Sequence, residues 1–252
     1  MKRIYSVLGA LVAIAALVGV NYALFSGKLL GLSPEILATL ESDDRVTVTI
    51  VGDNEQLVMV PAGAEPRAGL ILYPEGRMDV RTYGPVARRL AGAGYRVVFL
   101  SRRLEREGDL AAEYARIEAI INAQPEVETW FVGGHTFGGT IGVGYALSHP
   151  DRVAGLVLWA VRLDSGDADL SGSDLPVLYV YGTLDDENVD LMARVGPRLP
   201  AEATIVSIEG GNRVQFGSYG PMAADVGAGI TPEEQQVQAA AATVEFLTGL
   251  GY

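Results

Sequence analysis

The chain has 252 residues, of which 19 are basic, 31 acidic, two histidine and none cysteine. Its only lysines are Lys2 and Lys28, and its only histidines are His135 and His149. Thiol nucleophiles, cysteine-bearing zinc sites, Walker-A lysines and lysine Schiff bases are therefore excluded from the body of the protein. The residues after Lys28 carry 16 arginines against 31 carboxylates, a net charge of −15, which argues against nucleic acid or anionic lipid as a partner of this part.

Residues 1–30 are predicted to be a membrane anchor or signal segment. Lys2 and Arg3 precede an apolar run of 19 residues, Val7 to Phe25, which is broken only by Asn21. As a helix this run is about 28 Å long, close to the hydrocarbon thickness of a bilayer. An uncleaved anchor is favoured over a cleaved signal peptide, whose apolar region is usually about 7 to 15 residues, and over a buried core helix. Because the basic residues flank the N-terminal end, that end is expected in the cytoplasm and residues 31–252 outside it.

The remainder of the chain fits one domain, which its length can stabilise without disulfides or metals. Ser33 and Pro34 predict the start of a short helix that ends near Glu41,. Two alternating strands follow, Val46 to Val51 and Leu57 to Val60, separated by a turn,. The pattern then changes to short apolar runs typical of strands buried on both faces: Leu70 to Tyr73, Arg96 to Leu100, Thr129 to Gly133, Ala154 to Ala160, Val177 to Tyr181 and Thr204 to Ile208,.

Helical stretches lie between these runs. They are Tyr83 to Ala93, Leu110 to Ala123, Thr136 to Ser148, Val189 to Leu199, and Pro232 to Thr248 with Thr231 and Glu234 as a capping box,. A hairpin followed by repeated strand-helix units predicts an α/β fold, a mostly parallel, doubly wound sheet of about eight strands. Ligand sites in such sheets lie at the carboxyl ends of the strands, so the loops 74–79, 133–139, 182–188 and 209–220 are the candidate site.

The most specific motif is Gly133-Gly134-His135-Thr136-Phe137-Gly138-Gly139, which lies between a strand and a helix. A sharp Gly-x-X-x-Gly turn in that position is typical of a nucleophile elbow, which exposes its central side chain on a strained backbone. A phosphate-binding loop is disfavoured, because Thr140 and Ile141 occupy the positions of the lysine and hydroxyl residue,. A plain tight junction between a strand and a helix is the other alternative.

With this turn the chain resembles the α/β-hydrolase superfamily, in particular a small, lidless bacterial branch. The resemblance covers most of residues 33–250. Besides the elbow it rests on Tyr73 to Gly76, Tyr83 to Ala87, His149 to Asp151, Leu156 to Ala160, Tyr181 to Asp185 and Glu209 to Gly220. It implies an α/β-hydrolase fold without a cap domain and an ester or other acyl substrate, with no cofactor and no metal.

The resemblance places the catalytic serine, aspartate and histidine of the family at Thr136, Asp185 and Arg213. Asp185 matches. Thr136 keeps a hydroxyl but adds a β-branch at a turn that needs positive φ, which costs about 1 to 3 kcal/mol; alternatively, Thr136 merely caps the following helix. Arg213 is a departure, because an arginine stays protonated and cannot accept the proton of the nucleophile. Of the two histidines, His135 is predicted to pack in the core and His149 to cap a helix at the surface.

The resemblance places the oxyanion hole at Glu75, Gly76 and Phe137. A carboxylate aimed at a developing oxyanion would raise the barrier, whereas a Glu75 turned to solvent would not. Our hypothesis is that Arg213 pairs with Asp185 and with Glu75, so that a salt-bridged plug fills the former active site. The loop around Arg213 also contains Gln215, Phe216 and Tyr219. These three side chains either line the pocket or pin the loop, and His135 could line the pocket as well.

Three functions remain from the sequence. The first is a membrane-tethered, exported protein with a degenerate triad that binds a small-molecule ligand or acts as a scaffold. The second is a weak or unusual hydrolase of small esters that uses Thr136. The third is an oligomerising or structural protein, which a contiguous apolar patch outside the site would indicate. The missing base favours the first function.

Overall fold

The computed structural model describes residues 32–102, 110–163, 168–185, 191–220 and 227–252. The predicted membrane segment lies outside these ranges. Within the described ranges, no helix combines the length and the apolar character needed to cross a bilayer.

Eight strands of the described residues form a single sheet in the order β1-β2-β4-β3-β5-β6-β7-β8. The strands are β1 (Val46–Val51), β2 (Gln56–Pro61), β3 (Gly69–Tyr73), β4 (Arg96–Leu100), β5 (Trp130–His135), β6 (Gly155–Trp159), β7 (Val177–Gly182) and β8 (Thr204–Ile208). β1 and β2 form an antiparallel hairpin, β2 joins β4 antiparallel, and all other pairs are parallel. The predicted mostly parallel sheet with an N-terminal hairpin is confirmed.

Helices cover both faces of the sheet. They are α1 (Pro34–Thr39), α2 (Gly84–Gly92), α3 (Leu110–Asn122), α4 (Phe137–Ser148), α5 (Leu191–Val195) and α6 (Pro232–Gly249), with 3-10 turns at Val80–Tyr83, Pro150–Arg152, Gly196–Arg198 and Val214–Phe216. Side chains of α2 and α6 belong to the core on one face, and those of α3, α4 and α5 to the core on the other. The predicted caps at Ser33 and Thr231 are confirmed, the latter as a capping box.

Two predicted boundaries are wrong for identifiable reasons. The predicted helix from Val189 to Leu199 is α-helical only over Leu191–Val195 in the described residues, after which Gly196–Arg198 forms a 3-10 turn. Pro197 lacks an N–H and cannot continue an α-helical ladder. The predicted strand from Thr129 to Gly133 continues to His135, because Gly133, Gly134 and His135 remain paired with β6.

The parallel strands bring their carboxyl ends to one edge of the sheet. β3 ends at Tyr73, β5 at His135, β7 at Gly182 and β8 at Ile208. The loops after these strands, which carry Glu75, Thr136, Asp185 and Arg213, therefore meet at that edge, as the sequence predicts.

Candidate functional site

The turn after β5 has the geometry of an elbow. Thr136 lies at φ 44° and ψ −122°, a backbone conformation that is sterically costly for a β-branched residue. The glycines before it are required for close packing, since a Cβ on Gly133 would lie 1.9 Å from the carbonyl oxygen of Val157. On the other side of the turn, a Cβ on Gly138 would lie 2.0 Å from the carbonyl oxygen of Pro74. The elbow predicted from the sequence is present, with its strain.

The hydroxyl of Thr136 is enclosed. The residue is 1% exposed, and its Oγ1 is a buried atom without a hydrogen-bond partner among the described residues. Its backbone N–H donates to the carbonyl of Trp159 at 3.0 Å, but its side chain makes no capping bond to α4. The alternative in which Thr136 simply caps that helix is therefore wrong.

His135 is fully buried beneath the elbow, as predicted for a core histidine. Its Nε2 lies 2.7 Å from the carbonyl oxygen of Arg213, and its Nδ1 lies 2.8 Å from the hydroxyl of Tyr83. A carbonyl only accepts, so Nε2 carries the hydrogen. Desolvation lowers the pKa of His135, so the ring is neutral at pH 7 and Nδ1 accepts the hydrogen of Tyr83. Both ring nitrogens are thus committed to structural hydrogen bonds.

Glu75 belongs to the same buried network. It is 7% exposed, and its Oε2 accepts a hydrogen bond of 2.6 Å from the hydroxyl of Tyr219. Its backbone N–H donates to the hydroxyl of Tyr83 at 2.9 Å. Burial, followed by the nearby charge of Glu75, raises the pKa of Tyr83. The alternative in which Glu75 turns to solvent is wrong, and its hydrogen-bond partner is a tyrosine instead of the predicted Arg213.

The predicted salt-bridged plug is not formed as proposed. Arg213 immediately precedes the 3-10 turn Val214–Phe216, and its side chain is half-buried. Within the described part of the chain, neither carboxylate oxygen of Asp185 accepts a hydrogen bond from Arg213. Arg213 is instead connected to the elbow through its backbone carbonyl, which His135 binds. Since Arg213 stays protonated, the position still offers no base.

The predicted oxyanion region is only partly suited to that role. The N–H of Glu75 is already used by Tyr83. Gly76 lies at φ 52°, and a Cβ added to it would meet no atom within 4 Å. Phe137 is the first residue of α4. Phe137 directly follows Thr136, at the position whose backbone N–H contributes to the oxyanion hole of the family, and Phe137 is 51% exposed. A hole at this position would draw on the N–H groups of Gly76 and Phe137, and the buried carboxylate of Glu75 is next to Gly76 in the chain.

The predicted pocket residues have different roles. His135 is enclosed in the core. Tyr219 is buried and binds Glu75. Gln215 lines a cavity and also pins its loop, because its N–H donates to Oδ1 of Asn212 at 3.1 Å. Phe216 packs against His135 with ring centroids 5.2 Å apart.

Sequence reasoning missed the central role of Tyr83. The sequence indicates this residue only as part of the motif Tyr83 to Ala87, yet its hydroxyl joins Glu75 to His135. Sequence reasoning also missed Gln235, whose side chain binds the backbone N–H and carbonyl of Asn212. A polar residue on the core face of the last helix was the signal that could have indicated it.

His149 lies far from the elbow. It follows the 12 residues of α4, which rise about 18 Å. Its ring stacks on Tyr145 with centroids 4.6 Å apart, and it is half-buried at the helix end, in line with the predicted surface position. Among the described residues, no three metal-binding side chains lie close enough to hold an ion.

Comparison with known proteins agrees with this geometry. A family model described as "Alpha/beta hydrolase family" matches residues 69–237. A search of curated protein sequences gives no match. A predicted CIB-like hydrolase from Thermoplasma acidophilum is similar over 81% of this chain and 98% of its own, with 17% identity and a TM-score of 0.59.

Two further solved structures are similar. An esterase from Pyrobaculum calidifontis matches over 86% of this chain and 89% of its own, with 17% identity and a TM-score of 0.61. A membrane phospholipase A, described as a novel bacterial virulence factor, matches over 99% of both chains, with 16% identity and a TM-score of 0.57. At these identities the likeness concerns the fold.

Proposed function

Because this chain belongs to the alpha/beta hydrolase family, we propose that it keeps the family's fold and elbow but acts by binding a ligand or as a scaffold instead of by hydrolysis. One observation carries the proposal. Both ring nitrogens of His135 are engaged, by Tyr83 and by the carbonyl of Arg213. His149, the second of the chain's two histidines, lies at the far end of α4.

The residues at the triad positions support this proposal. In the family's chemistry a base takes the proton of the nucleophile, and removal of a triad member lowers turnover by about 10⁴ to 10⁶. Arg213 cannot take that proton at any pH at which proteins fold. The hydroxyl of Thr136 is also shielded from solvent, so a substrate would have to displace its surroundings first.

Tethering to a membrane is part of the same proposal. Residues 1–30 would anchor the chain, and residues 31–252 would form an extracytoplasmic domain, or a secreted one if the segment is cleaved. The support is Lys2 and Arg3 ahead of the apolar run from Val7 to Phe25,. Carbonate extraction of membranes and protease accessibility in spheroplasts test this. We expect the chain to stay with the membrane and to be digested from the outside; recovery in the soluble cytoplasmic fraction contradicts it.

The catalytic part of the proposal is tested by a panel of short-chain esters together with fluorophosphonate labelling of the full chain. We expect no turnover above the buffer rate and no labelling. An active lidless esterase of the same family serves as the positive control. Robust hydrolysis that Thr136→Ala abolishes would overturn the proposal.

That outcome defines the second candidate function, a weak hydrolase of small esters that uses Thr136. One observation favours it. Thr136 retains the strained elbow conformation at φ 44°, and such strain often persists at functional sites. Turnover that depends on Thr136 and is unaffected by Arg213→Gln would support this function, since a water or substrate group would then have to act as the base.

A further inference from the structure

A cavity of about 780 Å³ lies outside the former catalytic site. Its walls come from α1, the start of α2, the loop 212–220 and the start of α6. The described residues that line it include Ile36, Pro85, Val214, Gln215, Ser218 and Gln236, and do not include Thr136, Asp185 or Glu75. Its volume falls within the roughly 300 to 1,000 Å³ of small-molecule sites.

A buried amide is one of the polar groups of this cavity. Gln236 is 2% exposed. Its Nε2 donates to the carbonyl of Gln215 at 3.2 Å and to Oγ of Ser218 at 3.0 Å, which uses both of its hydrogens. Within the described part of the chain, the amide oxygen of Gln236 accepts no hydrogen bond from a protein group. Because Gln236 lines the cavity and its amide oxygen is not among the fully enclosed unpaired atoms, a ligand in the cavity can donate to it.

Ser218 adds the complementary group. Its Oγ accepts from Gln236, so the hydroxyl hydrogen remains available to donate. An acceptor on Gln236 beside a donor on Ser218 suits a ligand group that both donates and accepts, as a hydroxyl or a primary amide does. Ile36, Pro85 and Val214 form an apolar part of the lining and suit a short hydrocarbon chain.

The charges around the cavity disfavour an anion. Glu35, Glu233 and Arg89 contribute to its lining. The guanidinium of Arg89 is already paired with Glu233 at 3.0 Å, so among the described lining residues the carboxylate of Glu35 leaves a net negative charge. An anionic ligand would meet repulsion here, and an uncharged one would not.

The wall formed by α1 is firmly attached to the body. A Cβ on Gly84 would lie 2.4 Å from Oγ1 of Thr39, so the first turn of α2 and the end of α1 are in close contact. Arg88 pairs with Asp43 and binds the carbonyl of Glu41, which fixes the chain that follows α1. The cavity is therefore bounded by packed elements on its α1 and α2 sides.

We propose that this cavity is a binding site for an uncharged amphiphile whose head group is a hydroxyl or a primary amide and whose short apolar tail lies against Ile36, Pro85 and Val214. The inference goes beyond the proposed function, because it concerns a second site and does not depend on whether Thr136 is catalytic.

The test compares two probes of the same length on the full chain in nanodiscs, with empty nanodiscs as the blank. Saturation-transfer NMR at pH 7 measures the Kd of hexanamide and of hexanoate. We expect hexanamide to bind at least about tenfold more tightly, since hexanamide offers a donor to Gln236, whereas hexanoate carries a charge that the site repels. Equal affinities, or binding of hexanoate alone, would overturn the proposal.

Two tryptophan substitutions locate the binding. A Cβ on Gly227, which lines the cavity, meets no atom within 4 Å, and the same holds for Gly172, which lies at a separate surface site. Gly227→Trp should abolish hexanamide binding by filling the cavity, whereas the matched control Gly172→Trp should bind as the natural chain does. Binding that survives Gly227→Trp, or is lost equally in both, contradicts the proposed location.

The near-isosteric change Gln236→Met tests the anchor. It removes the amide oxygen and keeps the length of the side chain, so binding of hexanamide should weaken by about fivefold or more. A thermal melt shows whether the variant is folded; the comparison of the two probes on the natural chain stands whether or not it is. Unchanged affinity in a folded variant means that Gln236 is not the anchor and overturns that part of the proposal. Ester hydrolysis would overturn the proposed function but leave this site untouched.

Discussion

Nε2 of His135 donates a 2.7 Å hydrogen bond to the backbone carbonyl of Arg213. This bond ties the elbow after β5 to the loop after β8, the loop in which the family resemblance places the catalytic base. The residue at the base position thus interacts with the elbow through its backbone, while its side chain is a cation. The histidine next to the nucleophile position serves as a structural group.

Removal of the Tyr83 hydroxyl should destabilise the fold. Tyr83→Phe leaves the N–H of Glu75 and Nδ1 of His135 without their partner, and buried groups that lose a hydrogen bond cost about 1 to 3 kcal/mol. Urea unfolding measures the loss. Tyr181→Phe is the matched control, because Tyr181 is half-buried and no hydrogen bond of its hydroxyl is present among the described residues; it should stay within about 0.5 kcal/mol of the natural chain. Equal effects of the two changes would contradict this role of Tyr83.

Stability should fall as the pH drops from about 7 toward about 5.5. Burial lowers the pKa of His135 in the folded state below its unfolded value of about 6.5. The unfolded chain therefore binds a proton that the folded chain does not, and stability is lost below a pH of about 6.5 with a limiting slope of about 1.4 kcal/mol per pH unit. Urea unfolding across this range measures the slope, and His135→Gln should reduce it. An unchanged slope in that variant would show that another group is responsible.

The strain at Thr136 predicts an unusual order of stability between two small residues. At φ 44° glycine is favoured over alanine, so Thr136→Gly should be more stable than Thr136→Ala by about 1 kcal/mol. The control is the exposed Ala241 in α6, where Ala241→Gly should instead cost about 0.5 to 1 kcal/mol. Chemical denaturation of the three variants and the natural chain gives the order. Glycine that is less stable than alanine at position 136 would mean that the turn relaxes in solution.

Replacing the two residues that differ from the family's catalytic triad should restore some hydrolysis. Thr136→Ser removes the β-branch, and Arg213→His supplies a base in the same loop as in the family. We expect measurable turnover of short-chain esters and fluorophosphonate labelling in the double variant. The matched control, Thr136→Ser with Arg213→Gln, should remain silent because it lacks the base. Activity in the control at the same level would show that position 213 does not act on the nucleophile.

The sequence alone determined the fold class, the order of elements and the edge of the sheet at which the site lies. Alternating and continuous runs of apolar residues define the strands, and caps such as Thr231 with Glu234 define the helices. Both signals are local, so they can be recognised in the sequence. The Gly-rich turn around Thr136 was also predictable, since a strained turn between a strand and a helix needs small neighbours at fixed positions. The absence of histidine after residue 149 is likewise a property of the sequence, and it already argued against hydrolysis.

Tertiary structure decided the partners of the polar side chains. Glu75 and Tyr219 are 144 residues apart, and His135 and Arg213 are 78 residues apart. Composition and spacing indicated charges that could pair, Glu75 with Arg213 for example, but a hydrogen bond forms only where distance and direction permit it. The cavity beside Gln236 has the same origin, because its walls come from elements far apart in the chain. Those elements meet only when α2 and α6 pack on the same face of the sheet.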